Sequence, residues 1–166
     1  MILFPKQIRT ESFSYCADKS LDDLKSDIQK LLKESKEWDF YVNLTGQFIG
    51  DYAFEMTPKW QFAIIRGLES KISYLNGILY TDESGRTRVD FDVRPNSAIT
   101  IFFFVFPMIG LWALANANTS DKNNDALLVG LGFTFIVPIV MVVFGHFAKQ
   151  GIKEDFIKTF DLKPLD

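Results

Sequence analysis

The 166-residue chain contains one cysteine, Cys16, and one histidine, His146. A lone thiol cannot close an intramolecular disulfide, and one residue of each kind cannot supply the ligands of a zinc site. A nucleophilic Cys–His pair would require these two distant residues to meet. The sequence has no Gly-x-Gly-x-x-Gly, no P-loop and no Gly-x-Ser-x-Gly, so the usual frameworks for phosphate cradling and acyl transfer are missing. No run of Lys/Arg occurs and the formal net charge is −3. General nucleic-acid binding, which depends on neutralising phosphates, is therefore not expected. The apolar start of MILFPKQIRTES is too short for a signal h-region, and no cleavable signal peptide is expected.

Charge is nearly missing from one long stretch. Residues 1–95 carry 13 Lys/Arg and 15 Asp/Glu, whereas residues 97–145 carry only Asp121, Lys122 and Asp125. Within that stretch lie two uncharged runs, 97–115 (SAITIFFFVFPMIGLWALA) and 126–145 (ALLVGLGFTFIVPIVMVVFG). Each is close to the ~20 residues that cross a ~30 Å hydrocarbon core as a helix. They predict two transmembrane helices. The polar loop 116–125 between them is short, so the helices are expected to form an antiparallel hairpin. Arg86, Arg88 and Arg94 precede the first span, and His146, Lys149, Lys153, Lys158 and Lys163 follow the second. The loop carries only Lys122. The positive-inside rule then places both termini in the cytoplasm. Arg94, Trp112, His146 and Lys149 are the expected membrane-interface residues.

Within the spans, Pro107 and Pro138 predict a kink in each helix. Gly110, Ala113 and Ala117 on the first helix and Gly130 and Gly132 on the second are small enough to let the backbones approach closely. Together with the prolines they are the candidate packing surface, either of the hairpin itself or of an oligomer seam. Polar residues inside the spans are confined to Ser97, Thr100 and Thr134, which argues against an ion pathway.

Residues 1–95 read as a soluble α+β domain. Ser20 with Asp23 three positions on forms an N-cap signature, and Leu21, Leu24, Ile28, Leu31 and Leu32 follow as a stripe of helical period. From 40 to 56, apolar residues and glycines alternate with mostly polar ones, which predicts strand, broken by a bend or turn at Gly46 or Gly50. A short run containing Trp60, Phe62 and Ile64 follows. Over 71–80, Ile72, Tyr74, Ile78 and Tyr80 share one side. Asp82-Glu83-Ser84-Gly85 is a turn composition. Over 86–94, Val89, Phe91 and Val93 oppose Arg88, Asp90, Asp92 and Arg94. Phe13 and Tyr15 suggest one more strand. The expected fold is an antiparallel sheet of about four to six strands with one packed helix, followed by the transmembrane hairpin. The tail 146–166 carries Ile152, Phe156 and Phe160 at i+4 spacing. It fits a short cytoplasmic amphipathic helix on the membrane surface, or one packed back onto the domain.

Candidate chemistry is sparse. Asp90 with Asp92, and Asp51 with Glu55, are paired acids on strand faces, but Arg88 and Arg94 flank the first pair and cross-strand ion pairing is the simpler expectation. No catalytic residue, cofactor or metal is expected, nor is an enzyme. A cavity between helix and sheet lined by Phe48, Tyr52, Phe54, Tyr74 and Phe91 would suit a lipid or small apolar ligand. Three functions are thus expected in turn: a membrane-anchored module acting through a protein partner or as a homo-oligomer, an apolar-ligand binder, and a membrane-perturbing effector whose hairpin oligomerises.

Leu75-Asn76-Gly77-Ile78, then Gly85-Arg86-Thr87-Arg88-Val89-Asp90-Phe91, then Arg94-Pro95 leading into a helix resemble a pattern in small bacterial membrane proteins of no assigned activity. Those proteins carry a β-rich cytoplasmic domain ahead of two spans. The resemblance covers residues 48–107, about a third of the chain, and implies a bacterial inner-membrane setting but no mechanism.

Overall fold

The computed structural model describes residues 8–34, 44–59, 71–117 and 124–165. The run at Trp60, Phe62 and Ile64, the start of the 40–56 alternation and most of the polar loop lie outside the described residues. The fold is α+β. Its elements are β1 (Glu11–Ala17), α1 (Leu21–Glu34), β2 (Leu44–Phe48), β3 (Ala53–Pro58), β4 (Ser73–Thr81), β5 (Thr87–Pro95), α2 (Ser97–Ala117), α3 (Asn124–Leu131), a π-helical turn (Gly132–Ile136), α4 (Val137–Phe160) and β6 (Lys163–Pro164). The strands form one antiparallel sheet in the order β2-β3-β4-β5-β1-β6.

Helix α1 starts as its sequence dictates. The Ser20 hydroxyl accepts from the Asp23 amide at 3.2 Å and donates to the Asp23 carboxylate at 2.6 Å, so the N-cap satisfies a donor that the first turn leaves unpaired. Leu24 and Ile28 are completely buried against the sheet. Removing each from water is worth roughly 1.5–3 kcal/mol.

The alternation over 40–56 resolves into the hairpin β2–β3, which turns at residues 49–52. Ile49 and Gly50 both donate to the Ala53 carbonyl there. The β4–β5 hairpin closes on Asp82–Arg86, with Gly85 at φ 78°, a left-handed conformation that costs glycine no Cβ clash.

The core lies on one face of the sheet. It is carried by Phe54 and Met56 of β3, Leu75 and Leu79 of β4, and Val89, Phe91 and Val93 of β5. On β4, Tyr74, Ile78 and Tyr80 do share a side, but it is not the core side. Tyr74, Ile78 and Tyr80 point to the opposite, open face, and Ile78 is 49% exposed. Tyr74 therefore cannot line a cavity with Phe54 and Phe91. The physical reason is amphipathicity. The Tyr80 hydroxyl donates to Asp90 at 2.9 Å, and the Tyr74 ring supports the Arg94 guanidinium 4.3 Å from its centre. Both rings keep polar company that a dry core would deny them. The core face also uses Gly77, where an added Cβ would lie 2.8 Å from two carbons of the Phe54 ring.

The C-terminal part of the chain completes this core. Residues 145–160 form no separate tail: they continue α4, which runs along the core face of the sheet. Ile152, Phe156 and Phe160 are buried in the cluster that holds Leu24, Ile28 and Phe54. The Phe156 ring sits 5.5 Å from that of Phe54 and 5.1 Å from that of Phe91, the latter edge-on. Of the two placements open to residues 146–160, the structure adopts the one on the domain. Asp161 ends the helix in the left-handed region at φ 52°, and its amide and that of Leu162 bond to the Ile157 carbonyl. The chain then adds Lys163–Pro164 to the sheet beside Tyr15 and Cys16.

Candidate functional site

Two features stand apart from an ordinary α+β domain: the apolar hairpin and the way it is fixed to the sheet. Helix α2 and the continuous helix made of α3, the π-turn and α4 are each long and apolar enough to cross a membrane, over Ser97–Asn116 and Leu127–Phe160. Only 17% and 6% of their most apolar windows are buried, so those windows, unlike the end of α4, do not pack as core helix. Met108, Trp112, Leu128 and Ile139 all stand more than 60% exposed. Large apolar side chains exposed side by side in this way mark a surface that meets a membrane or a partner.

The hairpin holds together through small residues. Gly110 and Gly130 are both buried at the crossing. A Cβ on Gly110 would lie 2.6 Å from the Thr134 nitrogen and 2.8 Å from the Gly130 carbonyl, and one on Gly130 would lie 2.6 Å from Leu114 Cγ. Phe106 meets Phe133 edge-on at 5.4 Å just beside this crossing. Gly132, by contrast, faces open space. Ala113, Pro107 and Pro138 are half-buried. Pro107 lies inside an unbroken α2. Pro138 sits immediately after the π-turn, in which the Val137 amide bonds to the Gly132 carbonyl, five residues back. A proline ring presses on the carbonyl four residues before it, here that of Thr134, and the wider turn relieves that clash.

The junction with the sheet is rigid. Asn96, fully buried, donates from its side-chain amide to the Lys71 carbonyl at 2.6 Å and accepts from the Ala98 amide at 2.7 Å. Its backbone amide also bonds to Ile72, at 3.0 Å. One side chain thus caps α2 and ties it to the start of β4. Thr100 donates to the Ile8 carbonyl at 3.4 Å. Lys149 on α4 is 3% exposed, donates to the Arg9 carbonyl at 3.0 Å and pairs with Glu11. Its charge turns into the structure and fastens α4 to β1, although sequence position alone suggested an outward interface residue. Arg94 lies over Tyr74 two residues before Asn96. His146 is exposed beside Phe147, and Trp112 is exposed one turn before Asn116, whose side-chain amide bonds to the Trp112 carbonyl at 2.7 Å.

Comparison with protein-family models, curated proteins and solved structures found no match.

The remaining chemistry is structural. Cys16 donates to the Lys163 carbonyl, and so sits at the end of the sheet remote from α2, whereas His146 lies at the hairpin end, a full α4 segment away. The structure does not bring the two together. Among the described residues, no group of His, Cys, Asp and Glu could hold a metal ion. Arg88 pairs with Asp82 of the turn at 2.9 Å, rather than with the acids on its own strand face. The Asp82 carboxylate also accepts from the Ser84 hydroxyl and from the Ser84 and Arg86 amides. The Ser84 hydroxyl, the Arg86 amide and then the Arg88 guanidinium hold its pKa far below the ordinary carboxylate value. A depressed folded-state pKa stabilises the fold above the unfolded value and loses that contribution as pH falls. The β4–β5 hairpin is therefore expected to weaken progressively below about pH 4, and Asp82→Asn to flatten that acid limb. Hydrogen exchange of the β4–β5 amides between pH 5 and pH 2 checks this; equal acid dependence in both proteins would exclude Asp82 as its source.

Proposed function

We propose that this chain is a membrane-anchored, non-catalytic module. In this reading the hairpin spans a bilayer twice, both termini are cytoplasmic, and the sheet domain acts at the membrane surface through a protein partner or another copy of the chain. The carrying observation is the exposure of two span-length apolar helices, which only a hydrocarbon phase or an equally large apolar partner would cover. The excess of Lys and Arg on both flanks over the connecting loop supports the orientation. A bacterial inner membrane, as the resemblance of residues 48–107 implies, is the setting of this proposal.

Two observations favour this reading over the others. Phe156 occupies the space between Phe54 and Phe91 where an apolar ligand would sit. The small residues Gly110 and Gly130 are engaged with each other inside one hairpin, which leaves less of that seam for an oligomeric pore. The test is fractionation of the native membrane. The protein is expected to stay in the pellet through alkaline carbonate and to leave it only with detergent. A cysteine placed at Asn123 of a Cys16→Ser chain should react with an impermeant maleimide from outside the cell, whereas Cys16 of the parent should react only after lysis. Release by carbonate, or the reverse labelling pattern, overturns the reading.

A further inference from the structure

We propose that the open face of the sheet docks a protein partner through arginine side chains of that partner. The inference rests on the partner-binding part of the reading above, and adds the face used and the chemistry of what it meets. One face of the sheet is already filled: Leu24 and Ile28 of α1 and Ile152 and Phe156 of α4 close over its core side. On the other face Ser12, Ser14, Asn76, Ile78 and Asp92 are exposed.

Strand register sets this face in rows. Gln47, Glu55, Asn76, Asp92 and Ser12 follow one another across β2, β3, β4, β5 and β1. The adjoining row places Ala53, Ile78, Asp90 and Ser14 side by side. Over β4, β5 and β1 the two rows surround an open depression of about 400 Å³, lined by Ser12, Ser14, Asn76, Ile78, Asp90 and Asp92.

The negative charge of this face is uncompensated. Cross-strand ion pairing is the ordinary fate of acids on a sheet. Among the described residues, however, Glu55 and Asp92 pair with no cation. The two arginines of β5 are turned elsewhere, Arg88 to Asp82 and Arg94 over the Tyr74 ring. Asp90 accepts from the Tyr80 hydroxyl with one carboxylate oxygen, and its other oxygen is enclosed without a donor.

Size and chemistry select the partner. Five strands about 4.8 Å apart make the polar row roughly 19 Å long, the span of about six extended residues, whereas a small amine covers one end of it. A guanidinium meets a carboxylate through two parallel hydrogen bonds, and its apolar stem packs on a surface such as the half-exposed Ile78. Complementary charge of this kind sets which partner is chosen and how fast it is met more than how tightly it is held.

The experiment places the full chain in nanodiscs of phosphatidylcholine, which carry no net charge, and titrates it into a fluorescein-labelled ten-residue peptide of alternating arginine and threonine. The same peptide with glutamate for arginine is the reference, and fluorescence anisotropy reads binding. The face variant is Glu55→Gln with Asp92→Asn. A charge-matched variant, Asp22→Asn with Glu154→Gln, removes two acids from the helices on the other side of the sheet. The wild type is expected to bind the arginine peptide about tenfold more tightly than the face variant does, and to lose most of that advantage at about 0.5 M salt. The charge-matched variant should bind as the wild type does. Equal binding by the face variant and the wild type overturns the proposal. So does a wild type that takes the glutamate peptide as well as the arginine one, a result that stands even where a variant fails to fold. Light scattering in detergent tests the other occupant: a dimer that Ile78→Glu dissolves would put a second copy on this face and overturn the proposal. A chain that enters the bilayer but ignores the arginine peptide overturns this inference alone. One that binds the peptide yet is released from its native membrane by carbonate supports this inference and overturns the anchored reading.

Discussion

Phe156→Ala is expected to destabilise the sheet domain by about 3–5 kcal/mol, the range for removing a fully buried phenyl ring from a core that collapses incompletely. Phe156 has no exposed surface, and its ring touches those of Phe54, Phe91 and Phe160. The loss should appear in the sheet although the mutation lies in a helix that begins in the apolar hairpin. Hydrogen exchange at β3, β4 and β5 should accelerate by roughly two to three and a half orders of magnitude, the exchange equivalent of that energy at ~1.4 kcal/mol per tenfold. Ending the chain at Gly145 should go further and strip β3–β5 of the Ile152, Phe156 and Phe160 side chains that complete their core. A truncated chain whose sheet amides exchange as slowly as those of the intact protein would refute the assignment of residues 145–160 to the core.

The second large effect lies in the hairpin. At Gly110 any side chain meets the Thr134 hydroxyl and, behind it, backbone that cannot swing aside: the Thr134 nitrogen and the Gly130 carbonyl stand within 3 Å of the position a Cβ would take. Gly110→Val is therefore expected to force the helices apart and to cost about 3 kcal/mol, the upper end for overpacking. Gly132→Val supplies the control, since nothing lies within 4 Å of that position. Thermal unfolding in a mild detergent should show a clear drop in midpoint for the first variant and little change for the second. If Gly132→Val is the more damaging, Gly110 is not where the helices meet.

Much of this molecule was legible from local pattern. Period-3.6 spacing and an N-cap located α1, because both depend on residues within one or two turns of each other. Alternation located β5 for the same reason. The two uncharged runs stood out because a charged side chain in hydrocarbon is costly wherever it falls. Sidedness was harder. On β4, Tyr74, Ile78 and Tyr80 look more apolar than their alternates, yet the buried row is Ser73, Leu75, Gly77 and Leu79. Partners on the neighbouring strand decide that, through Asp90 and Arg94. The hairpin glycines could be singled out from the sequence only as a class, since only the crossing geometry separates Gly110 and Gly130 from Gly132.

By itself the sequence determined that two helix-length segments carry no charge and that an α+β domain precedes them, for those are properties of neighbouring residues. The tertiary structure decided where the helix beyond residue 145 goes. Ile152, Phe156 and Phe160 form an apolar stripe that suits a lipid surface and a protein core equally, since both offer the same relief from water. What distinguishes the two is shape: Phe156 fits between Phe54 and Phe91, and Lys149 reaches Glu11. That complementarity exists only once the strands have paired.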